Sequence, residues 1–147
     1  MSDPRAEALQ ESRTYENLRE AFASDAQAAA RYAFFAHRSD EAGQLDIEEL
    51  FSALARGKSA HAEGALRFLR DAVDPQTREP IRTPRDHLRS AIARCAYEHE
   101  TLYPRFAKTA REEGFDRVAD WFETVAEASR LHVARLRREL EALEAQS

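Results

Sequence analysis

Residues 94–106 read Arg-Cys-Ala-Tyr-Glu-His-Glu-Thr-Leu-Tyr-Pro-Arg-Phe and set a thiol, Cys95, three residues before a carboxylate, Glu98. On a helix that spacing puts both groups on one face. The rest of that face is apolar, so Glu98 turns inward and needs a partner. An unpaired buried carboxylate costs several kcal/mol or takes up a proton. Four other residues interrupt apolar stripes in the same way: Asp25, Lys58, His61 and His132. Two imidazoles with two carboxylates can ligate a transition metal, and a thiol among them shifts preference toward zinc. An inward lysine can neutralise a carboxylate, or act as base or nucleophile if its pKa falls. A single cysteine is either a small buried apolar group or a redox-sensitive thiolate.

Four long helices are needed to carry these residues. The first is expected over residues 14–40, where Leu18, Phe22, Asp25, Ala29, Tyr32 and Ala36 recur at three- and four-residue steps, and Gly43 stops it. The second begins near Asp46, with Asp46 and Glu49 spaced as a capping box. Its stripe is Ile47, Leu50, Leu54, Lys58, His61, Ala65 and Leu69. Gly57 and Gly64 flank His61, and their helix cost predicts a close helix contact there. Residues 71–83 hold Pro75 and Pro80 and form a long connection. Thr83-Pro84-Arg85-Asp86 then reads as an N-cap, a first-turn proline and an acidic third residue. The third helix runs to about residue 113, with Pro104 kinking it. The fourth covers residues 116–143 with Val118, Phe122, Val125, Ser129, His132, Leu136 and Leu140 on its stripe. Residues 1–12 read as a polar tail or a frayed helical start ahead of one helical domain, 13–147.

Composition narrows the function classes. The 147 residues are 43% apolar and 33% charged, with four Gly, which is an all-helical composition of one domain's length. A net charge of −5 of mixed sign gives no basic patch for nucleic acid. No apolar run is long enough to span a membrane. The polar start, Met1-Ser2-Asp3-Pro4-Arg5, lacks a signal region and leads to a cytoplasmic expectation. One cysteine excludes an internal disulfide and any Cys-x-x-Cys site within these residues. Of 22 cationic side chains only Lys58 and Lys108 are lysines, so a lysine inside a stripe reads as a need for a compact ammonium. His37, His87 and His99 read as surface residues, Trp121 and Phe122 as core or interface, and the Arg-rich last helix as a solvated face.

The chain also matches itself at an offset of 71 residues. Tyr32 falls on Tyr103, Phe35 on Phe106, Gly43 on Gly114, Phe51 on Phe122, His61 on His132 and Leu69 on Leu140. Two helical hairpins joined by a long crossover predict an all-α, ferritin-like four-helix bundle, with both histidines facing one core.

At this point the sequence resembles the rubrerythrin branch of the ferritin-like superfamily. The resemblance rests on Glu16-Asn17-Leu18 to Phe22-Ala23, on Arg31-Tyr32, on Tyr103-Pro104-Arg105-Phe106-Ala107, on Glu112-Glu113-Gly114-Phe115 and on the two His-bearing helices. It covers residues 14–143 and is closest to short, erythrin-type members without a rubredoxin domain. It implies two irons held by one Glu on the first helix, two on the third, and a Glu-x-x-His on the second and fourth. Carried onto this chain, the first-helix Glu is Asp25, and the third-helix pair is Cys95 and Glu98. The two motifs become Lys58-Ser59-Ala60-His61 and Ser129-Arg130-Leu131-His132, which lose the two Glu that bridge the irons. Asp25, His61, Glu98 and His132 remain as metal-ligand candidates. Lys58, Cys95 and Tyr103 are the candidates for chemistry beside them, and Tyr32 and Tyr103 are otherwise core.

Three function readings follow. One is a divergent rubrerythrin-like oxidoreductase acting on peroxide or oxygen with iron, zinc or manganese, and fewer than two ions. Another is a metal-free bundle that binds a partner, with Lys58 replacing the metal charge. The last is Lys58 or Cys95 chemistry on an organic substrate in the emptied core. The resemblance also implies a homodimer, through helix exchange in some members, and leaves the redox partner open.

Overall fold

The computed structural model describes residues 4–146, so the expectations for residues 1–3 and 147 lie outside it. Among the described residues the protein is all-α. Helices α1 (Pro4–Gln10), α2 (Arg13–Glu41) and α3 (Leu45–Leu69) come first. Helices α4 (Pro84–Tyr97), α5 (Tyr103–Glu112) and α6 (Asp116–Ala145) follow the connection, with a π-helical segment, Glu98–Leu102, between α4 and α5. The chain divides into two compact units, Met1–Pro75 and Gln76–Ser147, each an antiparallel hairpin with its own internal packing.

In the first unit α2 pairs with α3 along a seam of small residues: Ala28, Ala36, Ala62 and Ala65 are buried. Small side chains let two helix backbones approach closely. Residues 4–10, expected as a polar tail or a frayed helical start, form α1. Ala6 is buried, and Leu9 packs against a small core of Tyr15, Leu69 and Ala72. Ser12 makes this junction: its hydroxyl donates to the Leu9 carbonyl at 2.6 Å and accepts from the Tyr15 N–H at 3.1 Å, capping α2. Arg19 donates to the Pro75 carbonyl at 3.2 Å, which ties the end of the unit back to α2.

The capping box expected at Asp46 is absent. Gly43, at φ +73°, ends α2 and feeds the chain so directly into α3 that Gln44 is the N-cap, with no side-chain bond. Asp46 then sits inside the first turn, where its charge favours the positive helix end. The close contact expected at Gly57 and Gly64 is absent too, since a Cβ at either would meet nothing within 4 Å.

In the second unit the Thr83 cap forms as its sequence requires. Thr83 Oγ1 accepts from the Asp86 N–H at 3.1 Å, and Asp86 Oδ2 accepts from the Thr83 N–H at 3.2 Å, with Pro84 at the first position. Pro104 has no N–H to offer the carbonyl four residues back. The helix meets this upstream of the proline by widening. The Tyr103 N–H reaches the Glu98 carbonyl, five residues away, through the π-helical segment. Gly114, at φ +86°, ends α5 as Gly43 ends α2.

The repeat is visible in side chains as well as in sequence. Tyr32, Phe35 and Phe51 form a triangle of ring centroids 6.1, 5.8 and 5.3 Å apart. Tyr103, Phe106 and Phe122 form its counterpart at 6.4, 6.2 and 5.4 Å. Ala36 and Ala107 are both buried beside these rings. Within each hairpin, however, much of the predicted stripe stays exposed: Ile47, Leu50 and Leu54 on α3, Val118 on α6. A two-helix unit can bury only the flank of each helix that meets its neighbour, and those flanks are the alanine seams.

Candidate metal centre

In the first unit Asp25, midway along α2, accepts a hydrogen bond from Lys58 Nζ of α3 at 3.2 Å. The Asp25 side chain is 19% exposed and that of Lys58 35%, so the pair is partly shielded from water. His61 lies one turn beyond Lys58 on α3 and is exposed within its unit.

In the second unit Glu98 opens the π-helical segment, and both of its oxygens are engaged. Oε1 accepts from Arg94 Nε at 3.1 Å, one turn earlier on α4. Oε2 accepts from Ser129 Oγ of α6 at 3.0 Å. Ser129 is one of two polar residues buried here, so its hydroxyl spends its donor on the carboxylate instead of on water. The Arg94 guanidinium also lies 5.4 Å from the Tyr97 ring, which fixes its approach.

Cys95 is half-buried beside this group. Burial pushes its thiol above the usual range, Glu98 pushes it further, and Arg94 opposes both. A thiol so placed stays protonated at neutral pH and is a poor nucleophile. Cys95 and His132 line an open cleft between α4 and α6 with Arg135, Leu136, Arg138 and Glu139. Tyr103 belongs to the aromatic triangle, and its backbone N–H, rather than its phenol, reaches Glu98.

The structure therefore brings Asp25 to Lys58, Glu98 to Ser129, and Cys95 to the same cleft as His132. Among the described residues no three His, Cys, Asp or Glu side chains come together in a way that could hold a metal. Arg94 is the residue whose role the sequence concealed. Its four-residue spacing to Glu98 is the ordinary helical ion-pair spacing, which in a chain this rich in Arg and Glu singles out nothing. His37 is exposed, and so is His87, whose Nε2 sits 2.9 Å from the Ile81 carbonyl; His99 is half-buried. Phe122 packs with Tyr103 and Phe106, while Trp121 is 59% exposed.

The sequence that builds these hairpins is similar to known proteins. The family model named Rubrerythrin matches residues 16–140. The chain belongs to the rubrerythrin family. It is 34% identical over 135 residues to a rubrerythrin of Clostridium perfringens, covering 86% of this chain and 69% of that one. It is 33% identical over 131 residues to a rubrerythrin of Nitratidesulfovibrio vulgaris, with the same coverage. Nigerythrin from the latter organism is 30% identical over 128 residues, covering 83% and 63%. The all-α fold is accordingly that of a ferritin-like rubrerythrin bundle, and family membership supports a transition metal as cofactor. The 147 residues contain one cysteine, too few for the iron site of a rubredoxin. No helix among the described residues is long and apolar enough to cross a membrane.

Proposed function

We propose that this chain is a divergent rubrerythrin-like oxidoreductase acting on peroxide or oxygen at an altered bundle site that takes fewer than two metal ions. Membership of the rubrerythrin family supports the chemistry. The observation that carries the alteration is the ammonium of Lys58 on Asp25, at a position where the family resemblance implies a bridging Glu.

A pair of divalent irons does not fit these donors. Two such ions bring four positive charges, and the seven aligned positions offer only Asp25 and Glu98 as carboxylates. Lys58 adds a positive charge, Ser129 is neutral, and Cys95 is a protonated thiol. Hard divalent ions need more carboxylate than this. Asp25, His61, Glu98 and His132 are the residues that would hold a single iron, manganese or zinc. When bound, a redox-active metal would supply the electrons that peroxide reduction requires. Without metal, Lys58 holds Asp25, and Ser129 and Arg94 fix the direction of Glu98. Tyr103 keeps the wide turn that carries Glu98 closed at its C-terminal end. A homodimer and a separate electron donor are part of the same proposal.

The test is anaerobic reconstitution with ferrous iron, followed by metal analysis per chain and by peroxide consumption. About one ion per chain with consumption well above buffer is expected. No binding and no consumption refutes it. A second reading, a metal-free bundle that serves as a binding protein, draws on Glu98, both of whose oxygens are already satisfied within the second unit. It expects substoichiometric metal even after reconstitution. Covalent or redox chemistry by Cys95 is disfavoured by its raised thiol pKa.

A further inference from the structure

Each hairpin holds one retained carboxylate, and each carboxylate is met by a cation from its own unit. Asp25 of α2 meets Lys58 of α3 at 3.2 Å. Glu98 meets Arg94 at 3.1 Å and takes a second hydrogen bond, from buried Ser129, at 3.0 Å. These contacts recur in both halves of a repeated fold but are made by unrelated residues. Lys58 comes from the neighbouring helix, whereas Arg94 comes from the same helix one turn earlier. Two different solutions to one electrostatic problem mark the problem itself: an inward carboxylate that lacks an external cation.

We propose that Lys58 and the Arg94–Ser129 pair stand in for metal charge, so that each hairpin keeps its fold without a metal, and that Lys58 sets the limit on how many ions the site accepts. In an ordinary metal site the apo state leaves carboxylates to repel one another, and binding energy becomes folding energy. Here each carboxylate is already met by a cation inside its own unit. A divalent ion reaching Asp25 has to displace an ammonium from 3.2 Å, and one reaching Glu98 has to displace a guanidinium and a hydroxyl. Lys58 and Ser129, with Cys95 on the third helix, are therefore the positions that separate this chain from a two-metal site. The inference rests on the altered-site reading but not on peroxide activity.

The experiment compares thermal midpoints of the full chain as purified, after chelation, and after addition of ferrous, manganous or zinc ion, with metal counted per chain. A ligand held by the folded state alone at a hundredfold excess over its Kd raises the midpoint of a chain this size by roughly 5–10 °C. The chelated parent chain is expected to stay folded with a cooperative transition, and added metal to raise its midpoint by no more than that single-ion shift. A chelated parent chain that loses its cooperative transition and regains it only with metal overturns the proposal. The double variant Lys58→Glu, Ser129→Glu is expected to have a lower apo midpoint, to recover it with metal, and to take up two ions per chain. A folded double variant that binds no more metal than the parent overturns it as well. Should the double variant not fold, Lys58→Gln removes only the charge and is expected to bind more divalent ion per chain than the parent; no gain refutes the role of Lys58. An inactive parent chain whose midpoint ignores chelation would sink the peroxide reading and support this one.

Discussion

The contact between Lys58 and Asp25 can be weighed by removing one partner and then both. At 3.2 Å the Coulomb attraction of two unit charges is about 5 kcal/mol at an effective dielectric near 20 and about 1.3 kcal/mol in bulk water. With Lys58 35% exposed and Asp25 19%, the pair lies between an open surface bridge and a fully buried one. Surface pairs contribute about 0.2–1 kcal/mol, and breaking a buried pair costs about 3–5 kcal/mol. Lys58→Met should therefore cost about 1–2 kcal/mol, mainly because Asp25 is left charged and partly desolvated. Asp25→Leu with Lys58→Met removes that penalty and should return stability to within about 0.5 kcal/mol of the parent, since apolar isosteres often replace a paired charge at no loss. The double-mutant cycle is read from urea denaturation of chelated protein, and its coupling should be about 1–2 kcal/mol. Strict additivity, with coupling below about 0.3 kcal/mol, would mean that the contact has no stabilising role, and the charge-replacement argument would lose its first half.

Two further outcomes can be checked on single variants. Gly57→Ala should stabilise the chain by up to about 1 kcal/mol in the same denaturation assay, because Gly57 is helical and an added Cβ meets nothing within 4 Å; a loss would reveal a neighbour that this conformation does not contain. Cys95 should react with iodoacetamide more slowly than a free thiol at pH 7, and its rate should keep rising as pH passes the ordinary thiol value. Burial and Glu98 both favour the protonated form. Glu98→Gln removes the second of these causes and should speed the reaction, whereas an unchanged rate would show that burial alone controls the thiol.

Much of the fold was legible in the sequence. Stripes at three- and four-residue steps placed the four long helices, because a helix that buries one side must repeat apolar residues at that period. Thr83-Pro84-Arg85-Asp86 fixed the start of α4 because a capping box is closed by residues three apart, with no help from the rest of the chain. Gly43 and Gly114 announced the two helix ends, and both adopt the positive φ that favours glycine. The 71-residue repeat announced two equivalent hairpins, and it reappears as two equivalent triangles of rings. Where local pattern failed, a neighbouring constraint had overridden it. Gln44 displaced Asp46 as cap because the turn after Gly43 leaves no room for another residue. Residues 4–10 became helix where Leu9 packs on a core that includes Leu69 and Ala72, about sixty positions away.

For the candidate site the sequence by itself put Asp25, Lys58, Cys95 and Glu98 on helix sides that are half-buried, whereas His61 and His132, expected inward, are exposed within their units. It also determined their charges, two carboxylates and one ammonium. Only the tertiary structure decided who pairs with whom. Asp25 could have met Lys58 or stood apart from it, and the 3.2 Å contact pairs the two. Ser129 read as a loss, and it became a hydrogen-bond donor once α6 lay beside the π-helical segment. Arg94 read as one arginine of twenty until Glu98 was found to accept from it. Periodicity fixes a direction around a helix axis, whereas a hydrogen bond depends on distance and angle between atoms of different helices, and those follow only from packing.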